Sequence, residues 1–260
     1  NGKSLGTASV SIGGTGVDGN GALVNSSGTA ASHAGTVTLT SDLTVGGSGD
    51  IALSGKVTGA YGLTKSGNGA LTLSGAASDY SGGTNLQSGK LNINHASALG
   101  TGALTIAGGT LDNTSGSAIT LTTANAQNWN ADFTFAGSNN LNLGTGTVTL
   151  GGSREVTVSA GNLTVGDVSD GGNVYGLTKS GNGTLTLSGS NSYAGATTVS
   201  AGTLATTGNN RLGSTSAVTV GSGATLSLGG DETINALSGA GSISLGGALT
   251  TGGDNASRSL

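Results

Sequence analysis

The chain contains a near-identical internal repeat. Residues 61–75 read YGLTKSGNGALTLSG and residues 175–189 read YGLTKSGNGTLTLSG, so only one position differs at an offset of 114 residues. The match continues after a single-residue length difference, because Tyr80-Ser-Gly-Gly-Thr84 corresponds to Tyr193-Ala-Gly-Ala-Thr197. Such a repeat predicts an architecture of equivalent units, in which each unit contacts mainly its neighbours.

Within the repeats, apolar residues alternate with small or hydroxyl residues. Thr36-Val-Thr-Leu39, Ala70-Leu-Thr-Leu73 and Thr184-Leu-Thr-Leu187 share this pattern. In a β-strand the pattern places Val and Leu on one face and Thr or Ala on the other. Gly, Asn and Ser separate these segments, which is typical of short strands joined by tight turns.

Two all-β architectures fit this pattern, an antiparallel sandwich or barrel and a parallel β-helix. Asn68-Gly69 and Asn182-Gly183 favour hairpins locally, because Asn-Gly suits a type I′ turn. The similarity of distant units favours the β-helix, because a solenoid stacks equivalent positions on each other. The chain also has 53 Gly and only 3% aromatic residues, too few large side chains for a thick core. We therefore predict a parallel β-helix with roughly 20–25 residues per coil.

Composition excludes several classes of protein. The absence of Cys excludes a disulfide framework and a thiolate zinc site. A net charge of −4 argues against a nucleic-acid partner. No apolar run approaches 18 residues and no N-terminal signal pattern is visible, so we expect a segment of a longer protein without a membrane span.

The repeat also resembles a known family. The phrase Gly62-Leu-Thr-Lys-Ser-Gly-Asn-Gly, continued by Tyr80-Ser-Gly-Gly-Thr84 and Gly89-Lys-Leu91, is similar to the passenger-associated transport repeat of bacterial autotransporters, and the second copy ends at Ala201-Gly-Thr-Leu204. The resemblance implies an all-β fold, a right-handed single-stranded parallel β-helix (solenoid). It also implies export to the periplasm and passage through an outer-membrane barrel. In this family the repeat is linked to efficient secretion and not to a reaction.

We predict one continuous solenoid segment over residues 1–260. The repeat copies lie at about 61–111 and 175–228, with weaker repeat-like coils elsewhere.

Glycine-rich and acidic patterns do not predict a cofactor or metal site. Gly14-Thr-Gly-Val-Asp-Gly19 matches a dinucleotide pattern, but no helical stretch follows it. Gly13–Asp18 begins like a calcium-binding nonapeptide, yet that motif needs tandem copies. Asp231 and Glu232 are adjacent and would face opposite ways in a strand, which argues against a carboxylate pair for polysaccharide cleavage. Asp167-Val-Ser-Asp170 is interpreted as a solvated corner.

Other candidate residues also have structural interpretations. His33 and His95 lie in unlike contexts without triad partners nearby in sequence, and Thr-x-Thr runs such as Thr36–Thr38 are interrupted too often for an ice-binding face. Trp129, Phe133 and Phe135 share one parity, so we predict a strand with its aromatic residues inward. If exposed, they would indicate a sugar or receptor contact. Recurring lysines are expected to cover the solenoid edge or to discourage edge pairing, namely Lys65 and Lys179.

The sequence therefore predicts a non-enzymatic stalk with no catalytic, cofactor-binding or metal-binding residues. We expect an extracellular or cell-surface adhesin segment that aids outer-membrane secretion and makes weak multivalent contacts with a host receptor, matrix or glycan. One alternative is a self-associating module that binds like copies and builds aggregates, biofilm or filaments. Another is a polysaccharide-acting β-helix enzyme.

Overall fold

The computed structural model describes residues 2–213 and 216–252. The chain divides into two compact units, residues 1–127 and 128–260. Strand pairings within both units are parallel, which confirms the parallel β-solenoid and makes the antiparallel alternative wrong. The prediction of one continuous solenoid includes residues outside the described ranges and stays a prediction.

The described residues form short strands and one 3-10 turn at Val17–Gly19. The strands up to the end of the first unit are β1 (Val10–Gly14), β2 (Leu23–Val24), β3 (Ala31–His33), β4 (Val37–Gly46), β5 (Ile51–Leu53), β6 (Val57–Thr58), β7 (Leu63–Lys65), β8 (Ala70–Leu73), β9 (Thr84–Leu86), β10 (Lys90–Ile93), β11 (Leu104–Ile106), β12 (Thr110–Asp112) and β13 (Ile119–Thr120). The following strands are β14 (Gln127–Trp129), β15 (Phe133–Phe135), β16 (Leu141–Asn142), β17 (Val148–Leu150), β18 (Arg154–Val158), β19 (Asn162–Val165), β20 (Val168–Ser169), β21 (Leu177–Ser180), β22 (Thr184–Leu187), β23 (Thr197–Val199), β24 (Thr203–Thr206), β25 (Ala217–Val220), β26 (Thr225–Leu228), β27 (Glu232–Ile234), β28 (Ala236–Gly239), β29 (Ser242–Leu245) and β30 (Leu249–Thr251).

Two parallel sheets run through the first unit. The first sheet has the order β1, β4, β7, β9, β11, and β2 and β6 also pair with β4. The second sheet has the order β3, β5, β8, β10, β12. Leu71 pairs with Leu91, and Leu91 pairs with Leu111, so each step along the second sheet adds one coil of 20 residues.

The second unit contains two further series of paired strands, which are called the third and fourth sheet below. The third sheet has the order β15, β18, β21, β23, β25, β28, and the fourth has the order β16, β19, β22, β24, β26, β29. In the fourth sheet Leu163, Leu185, Leu204 and Leu226 pair in sequence, although the coils between them differ in length. The corners therefore absorb length differences while the strands stay in register.

The core consists of inward columns of apolar side chains. Leu71, Leu91 and Leu111 are fully buried in the second sheet, as are Leu163 and Leu185 in the fourth. Fully burying a side chain of this size contributes about 1.5–3 kcal/mol. The predicted alternation is confirmed, because hydroxyl and amide residues at the intervening positions lie on the outer face.

The Asn-Gly pairs form corners and not hairpin turns. Strands β7 and β8 flank Asn68-Gly69, but β7 pairs with β4 and β9 whereas β8 pairs with β5 and β10. The left-handed residue is Gly67, with φ of +69°, and not Asn68. The corner therefore redirects the chain from one sheet to another, where it pairs with neighbouring coils.

Candidate functional site

Each repeat places a lysine inside the stack of coils. Lys65 is 2% exposed and Lys179 is fully buried. Lys179 pairs with Val156 of one neighbouring coil and with Val199 of the other, so it belongs to an inward apolar column. The expectation that these lysines cover an outer edge is therefore wrong, because their alkyl chains extend the core.

The lysine ammonium groups join adjacent coils at a corner. Lys179 Nζ donates to the carbonyl oxygens of Ser180 and Gly181, both at 2.9 Å, and to that of Ala201 at 3.1 Å. Ala201 lies one coil further along the chain, so one ammonium contacts two corners. Burial lowers the pKa of both lysines to about 8. Lys65 Nζ donates to the equivalent carbonyls of Ser66, Gly67 and Ser88.

A glycine next to this ammonium completes the corner. Gly89 has φ of +71°, a conformation that L side chains rarely adopt. A Cβ atom there would lie 2.3 Å from the Gly67 carbonyl oxygen and 2.7 Å from Lys65 Nζ. The motif therefore requires glycine at this position, because the lysine and the preceding corner already fill the space.

Each repeat also buries a tyrosine with a hydroxyl partner. Tyr80 and Tyr193 are fully buried. The Tyr80 hydroxyl lies 2.5 Å from Thr84 Oγ1, and that of Tyr193 lies 2.7 Å from Thr197 Oγ1. Burial raises the pKa of Tyr193 to about 12. The Tyr and Thr of the motif therefore form one unit, because the threonine satisfies a phenol that has left water.

Asp170 stabilises the backbone of a corner. It is 2% exposed and accepts hydrogen bonds from the backbone N–H groups of Gly172, Tyr175 and Ala194. Burial opposes ionisation of this carboxyl, but the backbone hydrogen bonds outweigh it and hold its pKa below the ordinary value. The interpretation of Asp167–Asp170 as a solvated corner is therefore wrong for Asp170, whereas Asp167 is exposed.

Asp231 and Glu232 face opposite ways, as their adjacency predicts. Asp231 is exposed, whereas Glu232 is buried and accepts hydrogen bonds from the backbone N–H groups of Arg211 and Leu212, both at 2.9 Å. Burial raises the pKa of Glu232. Over residues 2–213 and 216–252, no three His, Asp or Glu side chains are grouped so that they could hold a metal ion.

The remaining candidates lie apart from one another. His33 is buried on β3, and neither of its ring nitrogens has a hydrogen-bond partner among the described residues. His95 Nδ1 lies 3.0 Å from Ser97 Oγ. The Gly14–Gly19 segment contains the 3-10 turn, and Asp18 in it is exposed. The structure therefore brings none of these side chains into a common site.

The aromatic residues point inward, as predicted. Trp129 and Phe135 are fully buried and Phe133 is 4% exposed. The rings of Trp129 and Phe133 meet edge to face, with centroids 5.0 Å apart. They lie on two strands, β14 and β15, and not on one, because residues 130–132 interrupt the predicted strand. The cluster is core and is not available as a contact surface.

Sequence reasoning missed one concave surface. A groove of about 190 Å³ lies on the outer face of the first sheet, and Asp42, Thr64, Asn85 and Thr105 are among its lining residues. No motif marks it. The sequence contains one indication of this groove, which is a difference between the two repeat copies. Thr198 of the second copy occupies the repeat position that Asn85 has in the first.

Comparisons with known proteins agree with this arrangement. The passenger-associated-transport-repeat family matches residues 63–93 and 177–205, the segments that contain both buried lysines and both buried tyrosines. The chain is 51% identical over 122 residues to the protein named adhesin BmaC autotransporter of Brucella suis biovar 1 (strain 1330). This match covers 43% of the chain and 4% of that relative, so the chain spans a small part of the relative's length. No solved structure matches the chain. Within the described ranges, no helix has the length and hydropathy needed to cross a membrane.

Proposed function

We propose that this chain, an autotransporter passenger segment with two passenger-associated transport repeats, serves as the structural stalk of a surface-exposed adhesin and helps the exported chain to fold. One observation carries the proposal. Both copies use their characteristic side chains to join coils, because Lys65 and Lys179 each contact corner carbonyls of two successive coils. A motif that serves stacking suits a protein whose role depends on its folded length.

This arrangement supports folding one coil at a time. Each coil of a solenoid contacts mainly its neighbours, so a new coil can add to an edge that is already folded. When a passenger emerges from a pore, every added coil buries leucines and satisfies corner carbonyls. The free energy of folding then opposes movement of the passenger back through the pore. This driving force does not depend on a nucleotide outside the cell.

The outer surface suits weak contacts and not catalysis. Thr64, Asn85 and Thr105 form one outward column of hydroxyl and amide groups. The most buried carboxylates bind backbone N–H groups, as Asp170 and Glu232 do. We infer a non-enzymatic segment whose repeated outer face makes multivalent contacts at the cell surface, in keeping with the name adhesin of the relative.

Export through an outer-membrane barrel tests this function. The chain would be placed ahead of the barrel of an autotransporter in a Gram-negative host, and surface display would be measured by protease accessibility on intact cells. We expect the wild-type chain to be displayed and the variant with Tyr80→Ala and Tyr193→Ala to lose display several-fold, because both substitutions leave cavities in the core and unpair the buried threonine hydroxyls.

The exposed Tyr61 provides a matched control, since it is 43% exposed and Tyr61→Ala removes the same atoms without opening the core. This variant should be displayed like the wild type. Equal display of the double variant, together with circular dichroism that shows it unfolded after purification, would mean that coil folding does not support export.

A further inference from the structure

The outer groove of the first sheet is lined by residues of successive coils. Gly62, Gly82 and Gly83 lie along it, where the backbones of neighbouring coils approach each other closely. Its walls are polar, because Thr64, Asn85 and Thr105 pair in sequence across three coils. At about 4.8 Å per coil, this column extends over about 10 Å.

Two groups in the groove are not saturated by the protein. Asn85 Oδ1 is buried and has no hydrogen-bond partner among the described residues. A buried polar atom without a partner is energetically unfavourable. Asp42 Oδ1 accepts a hydrogen bond from the backbone N–H of Gly62 at 2.8 Å, while the side chain remains exposed at the rim. The exposed Asp42 carboxylate therefore offers an acceptor at the rim to an incoming hydroxyl.

The second repeat shows that coil stacking does not require these side chains. The backbone N–H of Gly176, which corresponds to that of Gly62, is satisfied by Ser153 Oγ at 3.0 Å. At the repeat position of Asn85 the second copy has Thr198, which pairs with Thr178 on another sheet. The coil of the second copy therefore forms with a neutral serine and a threonine in place of Asp42 and Asn85. The rest of the motif is nearly unchanged, because residues 61–75 and 175–189 differ at only one position. The coil therefore uses a side-chain acceptor at the position of Asp42 but does not require its charge, and it does not require an amide at the position of Asn85.

We propose that this groove is a binding site for a neutral saccharide of one or two rings. Hydroxyl, amide and carboxylate groups spaced along the column match the donors and acceptors of sugar hydroxyl groups. The Asp42 carboxylate disfavours sialylated or sulfated sugars through like-charge repulsion.

The size of the groove sets the affinity. Its volume of about 190 Å³ is below the roughly 300–1,000 Å³ of sites that enclose drug-sized ligands. We expect dissociation constants of about 1 mM. This inference rests on the proposed adhesive surface and gives it a ligand class and a position. Weak sites of this kind become effective when many copies are displayed together.

Saturation-transfer nuclear magnetic resonance on the whole chain tests the site. The probes are lactose, maltose and diacetylchitobiose, with 3′-sialyllactose as the acidic counterpart of lactose. We expect transfer to at least one neutral disaccharide and at least a threefold weaker signal for the variant with Asp42→Ser and Asn85→Thr. These are the residues of the second repeat, so the coil should fold, which circular dichroism would check.

Asn94→Thr is the matched control, because it makes the same exchange at an exposed corner outside the groove, where Asn94 accepts from the backbone N–H of Thr114. It should bind like the wild type. No transfer at about 10 mM of any neutral probe, an unchanged signal in the groove variant, or equal binding of 3′-sialyllactose would overturn the proposal. The groove variant should still be exported. Failure of the wild-type chain to be displayed would count against the stalk function, whereas unchanged saccharide binding by a groove variant that is displayed normally would count against the groove alone.

Discussion

At the scale of single residues, the unusual feature is a charged side chain within an apolar column. An unpaired charge in a low-dielectric interior is strongly unfavourable. The repeat resolves this by surrounding each ammonium with three corner carbonyls, as at Lys179. The long alkyl chain then replaces a leucine in the core, and the charge is placed where backbone acceptors converge.

The first prediction concerns pH. Burial lowers the pKa of Lys65 and Lys179 from 10.5 to about 8, so between these values the unfolded chain binds more protons than the folded chain. Stability therefore rises with pH across this window, by about 1–2 kcal/mol per lysine between about pH 7.5 and about pH 9.5. The measurement is the urea unfolding midpoint at these two pH values.

The variant with Lys65→Met and Lys179→Met is the control, because it keeps an unbranched apolar side chain as far as Cε and removes the titrating group. Its midpoint should not rise across the same window. Above about pH 10 the tyrosines oppose the effect, since Tyr193 has a pKa of about 12 when folded and ionises earlier when unfolded. A wild-type midpoint that falls between the two pH values would contradict the prediction.

The second prediction concerns the corner glycine. Gly89→Ala forces a left-handed backbone on an alanine and places its Cβ atom against the Gly67 carbonyl oxygen. We expect a loss of about 2 kcal/mol or more in the free energy of unfolding. Gly28→Ala is the matched change, since a Cβ atom there meets nothing within 4 Å and the φ angle is ordinary. Similar unfolding midpoints for the two variants would show that the corner relaxes.

At the scale of the strand, stability depends on the coils on either side. Corner side chains reach across to the next coil, as when Asp132 Oδ1 accepts from the backbone N–H of Glu155 and Asp167 Oδ1 accepts from that of Ser190. Each strand is therefore aligned by its ladder and by side chains beyond its ends. An isolated strand of three or four residues would have neither.

The third prediction tests an inward column. Leu91 is fully buried between Leu71 and Leu111, so Leu91→Ala leaves a cavity between two coils. We expect a loss of about 2–5 kcal/mol. Thr64→Ala, on an outer face, should change stability by less than about 0.5 kcal/mol. Chemical unfolding of both variants measures the contrast, and equal losses would mean that the column does not dominate the core.

At the scale of the whole molecule, the coil is the unit of construction. The repeated pairing of Leu71, Leu91 and Leu111 at intervals of 20 residues means that one coil can be removed without changing which side chains point inward. Loss of a single residue from a strand moves the following side chains to the other face. Removal of a whole coil therefore shortens the fold, whereas removal of one residue from a strand changes which side chains point inward.

The fourth prediction follows from this difference. Deletion of residues 71–90 joins Ala70 to Leu91 and should give a folded chain that is shorter by one coil. Deletion of residues 71–89 joins Ala70 to Lys90 and places the apolar column outward, so we expect an unfolded or aggregated product. Circular dichroism and size-exclusion chromatography distinguish the outcomes. Two equally folded products would show that the corners can correct the register.

The sequence by itself determined the repeated unit, the alternation of inward and outward residues, the parallel solenoid and the inward aromatic cluster, because each is a local pattern or a comparison of two segments. The tertiary structure decided the rest. Lys65 and Asp170 look like surface residues in sequence, yet both are buried, because their partners come from corners contributed by other parts of the chain. The groove beside Asn85 could not be predicted either, since it exists only where three coils stack, and stacking brings together residues about 20 positions apart.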